Sequence, residues 1–418
     1  MLLVVDKMLD KVIDIVNNHN KWRREQCLNM IASESIMSPL AEKYFVTDFA
    51  GRYNEHSGPE RHYHGTKYSS DIEEACNEIF KNNFNTTFVD CRPISGGIAN
   101  LIVYTAFAKP GDNIVALGIP NGAHVSSTQW GMAGVRGLNS IDMFFDPKEM
   151  NIDIDKTVQL IKKTNPKIVM FGASMFLFPH PIKEIKEQID PSIKIAYDSA
   201  HVFGLVYNKM FQNPLEEGAD LICSSTHKTF QGPQGGIIIG KKDLDEKDWK
   251  KIQTAIFPGT LSNHHIHRLP SLAITALEMN EFGKDYANQV IKNAKALGKA
   301  LYDSGFKVLC PEKGFTRSHQ IIVNVKEFGG GRTVAGILEE NNIICNKMSL
   351  PIDTPQDATK NPSGIRLGVQ ELTRIGMKES EMKEVAEFFK KTLKEKKVIK
   401  NDVEEFRKDF NKIHYCFE

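Results

Sequence analysis

Lys228 lies in the segment SSTHKTFQGPQGG, flanked by Thr226 and His227 and followed by Gly232, Pro233, Gly235 and Gly236. An isolated lysine is nearly always a solvated charge. One that follows a strand (ADLICSS) inside a loop stiffened by glycine and proline can hold its amine in a fixed place and act as a nucleophile toward a carbonyl carbon. Other polar residues occupy equivalent places. The strand-like KIVMFGAS ends in Ser174, IKIAYD ends in Asp198 with His201 one helical turn beyond, and NIVALG is followed by His124 in the loop IPNGAH. Ser95, Gly96 and Gly97 separate the short strand-like TTFVDC from a helix-like GGIANLIVYTAF. Small residues there let backbone N–H groups and the helix N-terminus surround a phosphate. Each signal alone has an ordinary explanation: a tight turn for SGG, an N-cap for the aspartate of a DxxH, a hydrogen-bonded surface residue for a histidine. In combination, a phosphate cradle, an acid and an amine met in that order suit pyridoxal phosphate. The lysine would condense with the cofactor aldehyde, Asp198 would keep the pyridine nitrogen protonated so that the ring accepts electrons, and His124 would stack on one ring face.

These residues need a scaffold that gathers strand ends. From Ile72 to Val206 helix-like and strand-like segments alternate, and strand-like IKIAYD, ADLICSS and GGIIIG follow at short intervals, the pattern of an α/β fold with a mostly parallel sheet covered on both faces. In such sheets ligands bind outside the carboxyl ends of the strands. After Ser271 a long helical pattern, a strand-like HQIIVNV and a Lys/Glu-rich helical tail suggest a smaller α+β domain. The expected division is an N-terminal helical arm over 1–35, a large cofactor-binding domain over 36–284 and a small C-terminal domain over 285–418. A chain of 418 residues is long enough for two or three domains. Its 53 Lys and Arg against 52 Asp and Glu give a net charge of +1 with no basic cluster, which argues against nucleic acid as a partner. No apolar run is long enough to cross a bilayer, and acidic residues interrupt the apolar N-terminus at helical spacing, so a cytoplasmic protein without a membrane partner is expected. The seven cysteines are scattered singly, as buried reduced thiols would be.

From IASES near its start to SGIRLGVQELTR near its end, the chain resembles the serine hydroxymethyltransferase family of fold-type-I pyridoxal-phosphate enzymes. The resemblance implies that Lys228 of STHKT carries the cofactor beside Thr226, that Asp198 and His201 of the DxAH motif contact the ring, and that Ser174 lies near the ring oxygen. It implies that Ser33 of IASES and Arg366 of GIR hold the substrate carboxylate, a role suited to a guanidinium fork. Tyr53, Glu55 and Tyr63, in GRYNEHSGPERHYHGTKY, would enter the active site from a partner subunit, which implies a homodimer with shared sites. Glu55 would handle the protons of the substrate hydroxyl and of the pterin. The implied reaction moves the hydroxymethyl carbon of serine reversibly to a reduced pterin, tetrahydrofolate or tetrahydromethanopterin, leaving glycine.

Several positions depart from the usual family pattern. FPGTLSNHH carries Ser262, Asn263, His264 and His265 where Gln-Gly-Gly-Pro is common, Gln234 stands where many members have Arg, and Ile352 of LPID replaces an asparagine on the pterin side. The first two look like the archaeal branch. His56 replaces a common glycine and Gly58-Pro59 reverses a common order, so a differently shaped loop around Glu55 is expected. His264, His265 and His267 form an HHxH, but with no carboxylate or cysteine nearby in sequence no metal site is expected. Two other readings compete: a pyridoxal-phosphate-dependent threonine aldolase or transaldolase acting on β-hydroxy amino acids, and a non-catalytic scaffold, against which the joint presence of Lys228, Asp198 and Arg366 speaks.

Overall fold

In the computed structural model, which describes residues 2–57 and 60–418, the apolar strand-like segments assemble into one seven-stranded sheet. Gly58 and Pro59 lie outside the described residues. The strands are β1 (Val89–Asp90), β2 (Asn113–Ala116), β3 (Asn139–Asp142), β4 (Ile168–Phe171), β5 (Lys194–Asp198), β6 (Leu221–Ser225) and β7 (Gly236–Gly240), in the order β1-β7-β6-β5-β4-β2-β3. Only β7 runs against the others. β4, β6 and β7 are buried along their whole length, which is why they read as unbroken apolar runs and not as alternating ones. β3 is the exception. Its sequence, NSID, carries no apolar signature because it is a half-exposed edge strand, and periodicity does not reveal it.

Between the strands run the expected helices, among them α2 (Lys67–Phe84), α3 (Gly96–Phe107) and α4 (Ile154–Thr164), preceded by the N-terminal α1 (Leu2–Lys21). α3 starts where Ser95 accepts a hydrogen bond from the Ile98 N–H at 3.2 Å, a side-chain N-cap, and ends before Pro110. The long pattern after Ser271 belongs to a single 36-residue helix, α5 (Arg268–Asp303), in which residues 284 and 285 are both internal. Beyond it, β8 (Lys307–Val308), β9 (Gln320–Asn324), β10 (Asn346–Met348) and β11 (Gly364–Gly368) form an antiparallel sheet in the order β8-β9-β11-β10. In this sheet Arg366 is opposite both Ile322 and Asn346. α6 (Glu379–Leu393) packs Phe388 and Phe389 inward, with Phe406 edge-on to Phe388 at 5.4 Å. No described helix is long and apolar enough to cross a membrane.

α5 joins the two sheets into one hydrophobic core, which contains Tyr197 and Phe230 on one side and Ile321, Leu367 and Phe389 on the other. Each such fully buried side chain contributes about 1.5–3 kcal/mol. Where α5 meets the C-terminal segment the contact is ionic. Arg374 and Glu278, each 1% exposed, pair at 3.3 Å, and Arg374 Nη1 also donates to the Tyr415 carbonyl at 2.6 Å. Removing one partner of a buried pair leaves the other charge without compensation. Glu278→Ala is therefore expected to destabilise the protein by about 3–5 kcal/mol in denaturant unfolding; a loss below about 1 kcal/mol would mean that solvent reaches this pair.

Candidate active site

Because β4, β5 and β6 are parallel, their carboxyl ends lie side by side, and so does that of β1. The chain then turns into α3 at Ser95, and Gly236 at the start of the reversed β7 pairs with Ser225. A cavity of about 360 Å³ opens at this edge. It is lined by Ser95, Gly96, Gly97, His124, Ser174, Asp198, His201 and Lys228 from the large sheet, by Arg366 from β11 and by Ser33. Ten of the residues singled out in the sequence thus meet in one place. Thr226 is fully buried beneath them and fixes the lysine loop: its hydroxyl donates to the Pro233 carbonyl at 2.6 Å, and its own carbonyl accepts the Gly232 N–H at 2.8 Å.

Lys228 is 8% exposed. Burial pushes its pKa down to about 8, with Asp198 opposing the shift and Arg366 adding to it. Burial likewise lowers Arg366 to about 10. Arg366 is held by donating Nη1 to the Ser174 carbonyl at 2.5 Å and Nε to Asn346 Oδ1 at 3.2 Å. Asp198 accepts the Ala200 N–H at 3.0 Å on one oxygen and Asn100 Nδ2 at 2.7 Å on the other. Asn100 Nδ2 also donates to Ser126 Oγ at 2.9 Å, so the Ser126 hydroxyl hydrogen is directed to His124 Nδ1, 2.7 Å away. The Ser126 N–H points at the same nitrogen, 3.2 Å away, which sets His124 as the Nε2–H tautomer. Burial keeps His124 neutral by lowering its pKa. Burial, with Lys228 and Arg366, lowers His201 further, and its Nδ1 lies 3.0 Å from Gln320 Nε2.

Pyridoxal phosphate fits this donor set. The N-terminus of α3, the Ser225 hydroxyl and His227 Nδ1 converge on the cavity, and the last two are buried without a protein partner. A Cβ on Gly96 would press on the Ser225 backbone nitrogen at 3.1 Å and close the turn. Gly172, at φ +110°, brings its backbone against Asp198, whose carbonyl oxygen a Cβ there would strike.

Asn100, Ser126, Gln320 and Asn346 were not singled out by sequence. Asn100 did leave a signal, as an amide side chain inside the largely apolar α3; Gln320 and Asn346 left none, since only the fold of the small sheet brings them to the cavity. Three expected residues do not line the cavity in their own chain. Tyr53 and Tyr63 are 44% and 47% exposed and meet at a tilt with ring centroids 5.0 Å apart, Glu55 lies beside Tyr63, and Tyr53 donates to Ser262 Oγ at 3.2 Å. Ile352 is also exposed. The expectation that no carboxylate accompanies HHxH needs correction for one of its histidines: His264 meets Glu73 of α2, a residue remote in sequence, whereas His265 and His267 stack on each other and His267 meets Phe45 edge-on.

Comparison with known proteins agrees with this geometry. Residues 5–389 match the family described as "Serine hydroxymethyltransferase". A protein of that name from Sulfolobus acidocaldarius is 48% identical over 99% of this chain and 95% of its own, and one from Staphylothermus marinus is 48% identical over 98% and 93%. The crystal structure of L-threonine transaldolase from Pseudomonas fluorescens superposes with a TM-score of 0.89 at 26% identity, covering 100% of this chain and 96% of that one.

The depressed pKa of Lys228 has a measurable consequence, since an amine reacts only when neutral. Covalent uptake of pyridoxal phosphate by cofactor-free protein should accelerate with pH through a midpoint near 8, and a midpoint near the ordinary 10.5 would show a solvated amine. Asn100→Leu deletes a hydrogen bond to the Asp198 carboxylate, and cofactor affinity measured by absorbance titration should fall about 10- to 100-fold; unchanged affinity would show that Asp198 is positioned without it.

Proposed function

The chain belongs to the serine hydroxymethyltransferase family, pyridoxal-phosphate-dependent transferases of one-carbon metabolism, and on that premise we propose how its cavity carries out the reaction. When bound, the cofactor supplies an aldehyde that takes up the amine of an amino acid and a ring that accepts the electrons of the bond broken at Cα. Lys228 is the amine that holds it. Asp198, fixed by Ala200 and Asn100, holds a proton at the ring nitrogen. His124 covers one ring face as a neutral imidazole, so it adds no charge that would compete with that proton. Ser95, Gly96 and Gly97 receive the phosphate, with Thr226 bracing the loop behind it. Ser174 and His201 face the ring oxygen. Arg366 and Ser33 would bind the carboxylate of serine and so orient the amino acid in the cavity. The observation that carries the proposal is the convergence of Lys228, Asp198 and Arg366 from two different sheets on one cavity.

The remaining proton steps need a group that this chain does not bring to its own cavity. Glu55 of the partner subunit moves a proton at the serine hydroxyl and the pterin nitrogens, with Tyr53 of the partner subunit beside the cofactor and Tyr63 of the partner subunit beside the substrate. Support comes from the exposure of these tyrosines in the single chain. Further support comes from the apolar residues left uncovered on α1, Met8, Leu9, Val12, Ile13, Ile15 and Val16, each about half exposed, which suit a homodimer. The proposal divides the chain into an arm (1–35), a large cofactor-binding part (36–284) and a small part (285–418) linked through α5. The cytoplasmic setting inferred from the sequence belongs to it as well. The acceptor is a reduced pterin, either tetrahydrofolate or tetrahydromethanopterin.

Serine consumption by the holoenzyme is the test, measured without pterin and with each of the two. Turnover should depend on one of them, and faster pterin-independent cleavage of threonine would favour the transaldolase reading instead. Glu55→Gln should lower serine–pterin turnover about 10²- to 10⁴-fold with cofactor content unchanged; full activity would remove Glu55 from the mechanism.

A further inference from the structure

The departures at His56 and His264 are left without a role by the chemistry above, and the structure brings both to one carboxylate. Glu73, on α2 and 6% exposed, accepts His56 Nε2 on one oxygen and His264 Nε2 on the other, each at 2.8 Å. The second oxygen also receives Arg61 Nη1 and Asn54 Nδ2, both at 3.3 Å. Burial raises the pKa of Glu73, but hydrogen bonds from His264 and His56 outweigh it and keep the carboxyl well below its usual range. The ligand atoms of His56, Glu73 and His264 lie within 4.8 Å of one another, as in a metal centre. A divalent cation would nevertheless sit against the Arg61 guanidinium, which cannot lose its charge, and both carboxylate oxygens already hold imidazoles.

What the carboxylate joins is more telling. His56 is next to Glu55 and starts a two-strand hairpin in which His56 pairs with Arg61 and the His62 N–H donates to the Glu55 carbonyl at 3.2 Å. Arg61 braces the hairpin on α2 by donating Nε to Ser70 Oγ at 2.9 Å. On the other side, the turn that carries His264 holds the start of the hairpin: Asn263 Oδ1 accepts the Asn54 N–H at 3.2 Å, and Asn263 Nδ2 donates to the Arg52 carbonyl at 3.3 Å. One buried charge thus ties three separate segments together, and two of them carry Tyr53, Glu55, Tyr63 or their hydrogen-bond partners.

We propose that Glu73 is a positioning residue which, through His56 and His264, holds the segment from Tyr53 to Tyr63 in the conformation that Glu55 and Tyr63 need at the cavity of a second copy of this chain. The inference rests on the shared-site reading above and adds the device that presents the shared residues.

Hybrid dimers test it. Chains with Glu73→Gln and Lys228→Ala, carrying different affinity tags, are co-expressed and the mixed dimer is purified as holoenzyme. The Glu73→Gln homodimer should lose at least about tenfold in serine–pterin kcat while keeping its cofactor absorbance and cofactor affinity, and the Lys228→Ala homodimer should be inactive. In the hybrid one site pairs an intact Lys228 with an intact hairpin from the other chain, so about half of the wild-type activity should return. A hybrid of Glu55→Gln with Lys228→Ala is the control for the reading beneath. If that control recovers activity and the Glu73 hybrid does not, Glu73 acts within its own chain and the proposal is overturned while the shared site stands. If the control also fails to recover, the shared-site reading falls. Should Glu73→Gln fail to fold, His264→Gln removes one arm of the clamp and should show the same hybrid recovery; a fully active His264→Gln homodimer would overturn the proposal. Stoichiometric metal retained by the wild-type holoenzyme and absent from Glu73→Gln would overturn it in favour of a metal centre.

Discussion

The parallel run of β4, β5 and β6 is the constraint on which the rest of this structure depends. Parallel strands in one sheet lie about 4.8 Å apart and end on the same edge, so residues far apart in sequence are delivered to neighbouring positions without any one of them needing a special conformation. Asp198 ends one strand of the sheet, and Ser174 and Lys228 follow the ends of the strands on either side of it. The single reversed strand, β7, returns the chain so that Gly236 lies opposite Ser225, and the phosphate-facing turn at Ser95 closes on the same edge.

The electrostatics of the cavity follow from that convergence. Two cationic side chains, Lys228 and Arg366, are buried beside one lining carboxylate, Asp198, and the histidines around them are kept neutral by burial. Buried cations without enough counter-charge are costly, and here the excess is positive. A ligand that brings a phosphate and a carboxylate compensates it. Burial, opposed by Asp198 and aided by Arg366, lowers the Lys228 pKa toward the range in which an amine is a nucleophile near neutral pH. Binding and reactivity therefore arise from the same burial of these groups in one cavity.

Around this rigid centre the chain keeps a second group of functional residues on less regular backbone. The hairpin at Tyr53 to Tyr63 has only two-residue strands, and its order comes from side chains, chiefly the Glu73 carboxylate and Asn263. Short strands with few ladder hydrogen bonds depend on such anchors. The uncovered apolar face of α1 marks another part of the molecule whose packing is unfinished in one chain.

Much of this was legible in the sequence because the physics involved is local. Buried strands show as apolar runs, the polar residue that follows each run marks the ligand edge, and the glycines and proline after Lys228 show that its loop is stiff; these identified the α/β class, the cofactor and most of the cavity lining. Where the interaction is between elements, local pattern fails. The edge strand β3 has no apolar stripe to read, Gln320 and Asn346 reach the cavity only through the packing of the second sheet, and the HHxH that suggested a lone histidine cluster divides between a distant glutamate and an edge-on contact with Phe45. Sequence by itself determined which backbone segments form and which side chains could do the chemistry, since both depend on residue type and short spacing. Only the tertiary structure decided which charges are buried together, because desolvation and ion pairing depend on distances that spacing along the chain does not encode.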